Sequence, residues 1–235
     1  MKTKIIICKL LITCLIGVLI HSCSDDFLTN NDRHFIESCV CVFPDKSAQT
    51  YPISLANAGN ATYTITKKPD WLKVESMTGQ FQNGLAELTC SAIKNESFTG
   101  DFVYTATMYI DVNGIGGCFA EVYYVNFGSP LYNGEPKFYI ENNDWLANNY
   151  LDFGQNHQYY HFPIHNIGGG CLIWKVTECP EWIHVTMCGT ALHDTPKEFE
   201  ISSLELPYGI HDGTIVLSTN DKDQPTYSIA VRCQN

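Results

Sequence analysis

The chain has 235 residues, 45% of them hydrophobic and 17% charged. That composition excludes disordered, collagenous and coiled-coil chains and leaves apolar residues for one or two globular cores. With 14 Lys+Arg against 25 Asp+Glu the formal net charge is −11, a surface that phosphate backbones repel, so nucleic acid is excluded as a partner.

Residues 1–22 read as a leader. Lys2, Lys4 and Lys9 make a basic start, and Leu10 to Ile20 is an apolar run broken only by Thr13 and Gly17. That run is too short to span a bilayer and has the size of a signal-peptide core. It ends in Leu19-Ile20-His21-Ser22-Cys23, which resembles a bacterial lipobox, with His21 bulkier than the usual residue at its position. The resemblance implies a lipid on Cys23. Ser24-Asp25-Asp26 resembles the acidic tag that directs Bacteroidetes lipoproteins to the outer face of the outer membrane. The expected layout is a lipoprotein signal peptide over 1–22 and a lipidated tether over 23–34. The membrane is then a partner through two or more acyl chains, and the protein faces the cell exterior. Loss of residues 1–22 removes three Lys and no acid, which takes the net charge to −14.

The rest of the chain alternates in steps of two. Tyr160, Phe162 and Ile164 fall on one side, and Tyr159, His161 and His165 on the other. Leu172, Trp174 and Val176 continue an inward face, followed by Phe199 and Ile201, Ile215 and Leu217, and Tyr227, Ile229 and Val231. An offset of 111 residues lays the earlier part under the later part without gaps. Pro52-Ile53 falls under Pro163-Ile164, Gly59 under Gly170, Tyr63 under Trp174, and Pro69-Asp70-Trp71 under Pro180-Glu181-Trp182. Short alternating strands between Gly, Asn, Asp and Pro, repeated once, predict two antiparallel sandwiches over 35–129 and 130–235, with no helical layer. Asn113-Gly114 between alternating segments, Thr107 to Val112 and Cys118 to Phe127, predicts a hairpin in the first unit. Ser129-Pro130 to Glu135-Pro136 reads as the linker.

Eight cysteines follow Cys23: Cys39, Cys41, Cys90 and Cys118 in the first unit, Cys171, Cys179, Cys188 and Cys233 in the second. Four per unit in an exported protein permit two disulfides each. The alternative is free thiols packed as small apolar groups. No Cys-x-x-Cys occurs, so zinc is not expected.

Leu151-Asp152-Phe153-Gly154, then Asn166-Ile167-Gly168, Leu172-Ile173-Trp174-Lys175-Val176, Pro180-Glu181-Trp182-Ile183-His184-Val185 and Gly213-Thr214-Ile215-Val216-Leu217-Ser218-Thr219-Asn220-Asp221 together resemble the BACON domain and related immunoglobulin-like modules. The resemblance covers nearly all of 140–235 and is degenerate over 35–128. It implies tandem seven- or eight-stranded sandwiches on a cell surface, with a carbohydrate or mucin role inferred for the family from the domains that accompany it.

Several residues carry candidate chemistry. Trp71 and Trp182 can stack on sugar rings, but their identical placement after a proline reads as a structural corner. Tyr109, Phe119 and Tyr123 in the hairpin, with Trp145 and Tyr150 further on, are better platforms. Tyr109, Tyr123 and Trp145 are the chosen ligand-binding candidates. His157, His161 and His165 lie on one side of a strand about 13 Å apart, too far to share a metal. Asn220, Asp221 and Asp223 can hold Ca²⁺, but such a run reads first as a solvated turn. No Gly-x-Ser-x-Gly or His-Glu-x-x-His is present. The expectation is a non-catalytic surface lipoprotein, without cofactor or metal, that recognises a glycan or glycoprotein. The alternative is a structural or adhesive spacer that binds protein partners.

Overall fold

A computed structural model describes residues 34–44, 46–94, 98, 102–126, 134–141, 146, 149–154, 159–193, 195–204 and 206–234. The leader, Cys23, the tether up to Arg33, Trp145 and His157 lie outside them. The described residues contain no helix. They are all-β, in mostly antiparallel sheets packed as sandwiches.

The first half contributes β1 (His34–Val42), β2 (Gln49–Ser54), β3 (Thr62–Lys67), β4 (Leu72–Val74), β5 (Thr78–Gln80), β6 (Leu85–Ala92), β7 (Phe102–Val112) and β8 (Gly116–Asn126). The second half contributes β9 (Phe138–Ile140), β10 (Tyr150–Asp152), β11 (Tyr159–Asn166), β12 (Leu172–Glu178), β13 (Ile183–Val185), β14 (Cys188–Ala191), β15 (Lys197–Ser203), β16 (Ile210–Thr219) and β17 (Thr226–Gln234).

The strand orders match element for element. Sheet β10-β17-β16-β12-β14 of the second half repeats the run β1-β8-β7-β3-β5 of the first, and β13-β15-β11-β9 repeats β4-β6-β2-β1. Strand β1 pairs with both β2 and β8, so it joins the two sheets of the first half into one eight-stranded sheet. The second half divides that role between β9, which pairs β11, and β10, which pairs β17. In both halves an early strand runs parallel to the last one, β1 to β8 and β10 to β17.

The period of two sets which side chains are inside. Strand β17 alternates without exception, with Tyr227, Ile229, Val231 and Cys233 buried and Thr226, Ser228, Ala230 and Arg232 exposed. Tyr63 and Trp174, matched at 111 residues, each face a glycine on the neighbouring edge strand: Tyr63 opposite Gly79, Trp174 opposite Gly189. A β-carbon on Gly189 would lie 2.6 Å from Trp174 Cζ2, and one on Gly79 would overlap the Tyr63 ring. Trp71 and Trp182 are corner residues. The Leu72 and Ile183 amides donate to the Pro69 and Pro180 carbonyls at 3.1 and 3.0 Å, and each tryptophan carbonyl accepts from the end of the next strand pair, Ile93 and Leu204. Trp71 packs edge-on against Tyr124 and Trp182 against Phe153.

Polar side chains clip the second half together. Buried Asn166 accepts from the Lys137 and Gly168 amides and donates to the Gly169 and Gly170 carbonyls. Asn220 accepts from the Ile173 amide at 2.8 Å and donates to the Cys171 carbonyl at 3.0 Å. Asp221 corrects the reading of a solvated turn. It is 3% exposed and accepts from the Phe138 amide at 2.8 Å and from the Asp223 amide at 2.9 Å. Burial alone would raise its pKa, but those amides, the Lys137 ammonium and the Gln224 amide outweigh it and hold the carboxyl below its ordinary range. The hairpin also differs from expectation. Its strands are longer than the alternation indicated, and positive φ falls on Gly114 and Gly116 rather than on Asn113.

Two hydrophobic clusters form. One gathers most buried residues between Ile36 and Val125, the other those between Phe138 and Cys233. Cys171, Ile173 and Leu192 of the second half belong to the first cluster. Val40, Cys41 and Val42 on β1, and Leu172, Ile173 and Trp174 on β12, are buried without alternation. These strands are covered on both sides, which turns a period-two pattern into a continuous apolar run. Across this seam the Lys175 ammonium pairs with Glu87, and the Cys188 thiol donates to the Glu37 carbonyl at 3.3 Å. Cys41, Cys90, Cys118, Cys171, Cys179, Cys188 and Cys233 are free thiols.

Candidate functional site

The outward face of the first half carries an aromatic row. On β8 the side chains of Cys118, Ala120, Val122 and Tyr124 are buried and Phe119 and Glu121 alternate with them toward the outer side, whereas Tyr123, further along the strand, packs against the first hydrophobic cluster. On β7 the same alternation buries Met108 and Ile110 and turns Thr107, Tyr109 and Asp111 outward. The register then sets Phe35, Phe119, Tyr109 and Lys67 in one line across β1, β8, β7 and β3. Neighbouring strands lie about 4.8 Å apart, so the line is continuous. Phe35 and Phe119 meet edge to face with centroids 5.3 Å apart. The Lys67 ammonium sits 5.7 Å from the centre of the Tyr109 ring. Phe35 is 46% exposed, and Phe119 and Tyr109 are half-buried. Thr107 pairs with Glu121 in the next row and supplies polar edges.

The fold does not require this row to be aromatic. The corresponding strands of the second half are β10, β17 and β16, and their outward face holds Tyr150, Ala230 and Thr214 in one row and Asp152, Arg232 and Asp212 in the next. There one ring, Tyr150, stands beside a two-pronged ion pair, Arg232 Nε to Asp212 Oδ1 at 2.6 Å and Nη2 to Oδ2 at 3.1 Å, in place of three rings. One architecture tolerates both surfaces, so the aromatic row is a property of this copy's sequence and not of its packing.

A concave feature lies where the halves meet. This cleft of about 710 Å³ is walled by Asn57 and Asn83 of the first half and Tyr159, His184, Met187 and Glu200 of the second. Asn57 and Asn83 take left-handed backbone (φ 64° and 52°), which asparagine accepts more readily than most residues. Tyr159 is 59% exposed and stacks on His161, with centroids 6.3 Å apart and planes 19° apart. Desolvation, the hydrogen bond to Glu200 and the Glu200 and Glu198 carboxylates raise its phenol above the ordinary range. The cleft thus offers one aromatic platform, and the sheet face offers three.

The three chosen residues fall in different places. Tyr109 lies in the aromatic row. Tyr123 lies four residues further along β8, paired with buried Cys41 and packed against the first hydrophobic cluster, and its hydroxyl donates to Glu121 Oε2 at 2.5 Å, so it does not join the row. Trp145 lies outside the described residues. His161 is engaged by Glu198 at 3.3 Å, and His165 packs on Tyr139. Sequence reasoning missed Phe35 and Lys67. The signal for Phe35 was its even spacing from Glu37 at the start of an alternating strand; the signal for Lys67 exists only in the register.

Residues 42–117 match the family model described as the viral BACON domain. The match lies in the first half, whereas the motif run read from the sequence lies in 140–235. The two halves share one topology, so a profile and a motif run can each select a different copy. A crystal structure of a protein of unknown function from Porphyromonas gingivalis W83 is similar at 14% identity, over 88% of this chain and 98% of that one, with a TM-score of 0.35. The ASH / PapD-like domain 7 of human CEP192 is similar at 12% identity, over 47% of this chain and 93% of that one, at 0.34. The CsuC-CsuE chaperone-tip adhesion subunit complex of Acinetobacter baumannii is similar at 8% identity, over 87% and 100%, at 0.30. Each is a likeness of fold. No curated protein matches the chain.

Proposed function

We propose that this is a non-catalytic surface lipoprotein, anchored at Cys23, whose tandem BACON-like sandwiches over 35–129 and 130–235 display a carbohydrate-binding face. The observation that carries the reading is the line Phe35–Phe119–Tyr109 on the outward side of the first half, three rings where the second half has one, in the row Tyr150, Ala230 and Thr214. Pyranose rings present C–H edges that pack on aromatic faces, and the polar edges supplied by Lys67, Thr107 and Glu121 give hydroxyl groups partners. A row of side chains that spans four strands suits an extended polysaccharide better than a single small sugar.

The test is a glycan and mucin array probed with the full chain, followed by titration of the best ligand. Phe119→Ala and Tyr109→Ala are each expected to weaken binding roughly tenfold, with strand structure unchanged by circular dichroism. Wild-type affinity in both variants, or a blank array, overturns the reading. The alternative, an adhesive spacer, has one feature in its favour: Tyr208 is 97% and Ile210 60% exposed at the start of β16. Bare apolar side chains of this kind are what protein partners cover.

A further inference from the structure

Asn-Gly occurs at Asn83-Gly84, Asn113-Gly114 and Asn133-Gly134. Asn133 lies outside the described residues, and the other two pairs sit in different surroundings. Asn113-Gly114 is the tip of the hairpin between β7 and β8, and both residues are exposed. The turn is held on either side of the Gly114 nitrogen: the Ile115 amide donates to the Val112 carbonyl at 3.0 Å, and the Asn113 amide to the Thr62 carbonyl at 2.9 Å. The Gly114 amide itself has no acceptor among the described residues, and a β-carbon on Gly114 would meet nothing within 4 Å. Asn83-Gly84 is pinned at the nitrogen that Asn113-Gly114 leaves free. The Gly84 amide donates to the Gly59 carbonyl at 2.8 Å, and the Asn83 amide donates to Asn60 Oδ1 at 3.1 Å. A β-carbon on Gly84 would stand 3.1 Å from the Leu55 carbonyl oxygen.

We propose that Asn113 is a site of spontaneous deamidation, a modification that the chain's own backbone carries out and that the fold withholds from Asn83. This inference is independent of carbohydrate binding. The Gly114 nitrogen gives up its proton to base and attacks Cγ of the Asn113 side chain. A bond from that nitrogen to Cγ forms, the Cγ–Nδ2 bond breaks, and Nδ2 takes up a proton and leaves as ammonia. The product is a five-membered succinimide. Water, the co-reactant, then adds to one of the two ring carbonyls and breaks that carbon's bond to the Gly114 nitrogen, which regains a proton. Opening at Cγ leaves aspartate. Opening at the backbone carbonyl leaves isoaspartate, whose main chain runs through the side chain. One water is consumed and one ammonia released, with no change in oxidation state. Glycine favours the closure because no β-carbon crowds its nitrogen, and asparagine is among the thermolabile residues. At Asn83 the attacking nitrogen must first leave the Gly59 carbonyl and turn within a packed loop. Either product adds a carboxylate to the hairpin tip.

The test incubates the full chain in mildly alkaline buffer at body temperature, beside a sample unfolded in guanidinium chloride, and maps peptides by mass spectrometry over time. In the folded chain the peptide that carries Asn113 is expected to gain one mass unit and split into two chromatographic forms, roughly tenfold faster than the peptide that carries Asn83. In guanidinium chloride the two should change at similar rates, since each is then a plain Asn-Gly. Gly114→Ala should slow the change at Asn113 by roughly tenfold. No mass gain at Asn113 in the folded chain, equal rates at both sites in the folded chain, or the same gap in guanidinium chloride overturns the inference, and these readings need no variant to fold. An unchanged rate in Gly114→Ala also overturns it.

Discussion

The two halves place the same strands in the same order and then differ in what they turn to solvent and in how they hold their ends. On the face made by β1, β8 and β7 the first half exposes Phe35, Phe119 and Tyr109; on β10, β17 and β16 the second half exposes a single ring, Tyr150, with Ala230, Thr214 and an Arg232–Asp212 ion pair. The second half ties its strand starts with buried Asn166, Asn220 and Asp221. The first half instead runs one strand, β1, through both sheets. Features the halves share, such as an aromatic opposite a glycine, are what the architecture needs. Features that only one half has are free to serve something else.

The shared features should be the costly ones to change. Trp174→Ala is expected to destabilise by about 3–5 kcal/mol, and Tyr63→Ala by somewhat less, both read from the urea midpoint. A near-neutral result at either position would break the equivalence of the halves. Asp221→Asn should cost about 2 kcal/mol at neutral pH, since it weakens hydrogen bonds to a buried charge. Because the folded pKa of Asp221 is depressed, its contribution is complete above the unfolded value of about 3.9. It is lost as pH falls through the lower folded value, so wild type and variant should converge below about pH 4. A gap that stayed constant down to pH 3 would deny the carboxylate its role. Gly79→Ala and Gly189→Ala should each cost about 1–3 kcal/mol, because the added methyl meets a ring that fills its half's core. Unequal costs would show which core yields. Tyr109→Ala should change stability least, by under ~1 kcal/mol.

Most of the inward-facing residues were legible because one-sided burial writes itself as alternation: Tyr160, Phe162 and Ile164 on β11 fall where the period places them. Trp71 and Trp182 were legible as corners because each follows its proline at the same offset. The seam was not legible. Leu172-Ile173-Trp174 and Val40-Cys41-Val42 are buried on both sides, and a run of apolar residues does not say what covers its second face. Nor was the role of Asp221, since an acidic residue in a polar loop has the same sequence signature whether it meets water or backbone amides. Tyr109 was read as a candidate from its place in a hairpin, but its alignment with Phe35 needs the register of three strands. That register is interrupted by an irregularity between Phe35 and Cys39 that no local pattern announces.

The decisive measurement is a calorimetric titration of the best polysaccharide ligand into three folded forms of the chain: wild type, Tyr109→Ala and Thr214→Ala. Tyr109 and Thr214 stand on matching strands, one in each half. Binding that falls roughly tenfold for Tyr109→Ala and is unchanged for Thr214→Ala is the predicted result. Loss in Thr214→Ala with full binding in Tyr109→Ala, or the same affinity in all three, would contradict a carbohydrate face confined to the first half.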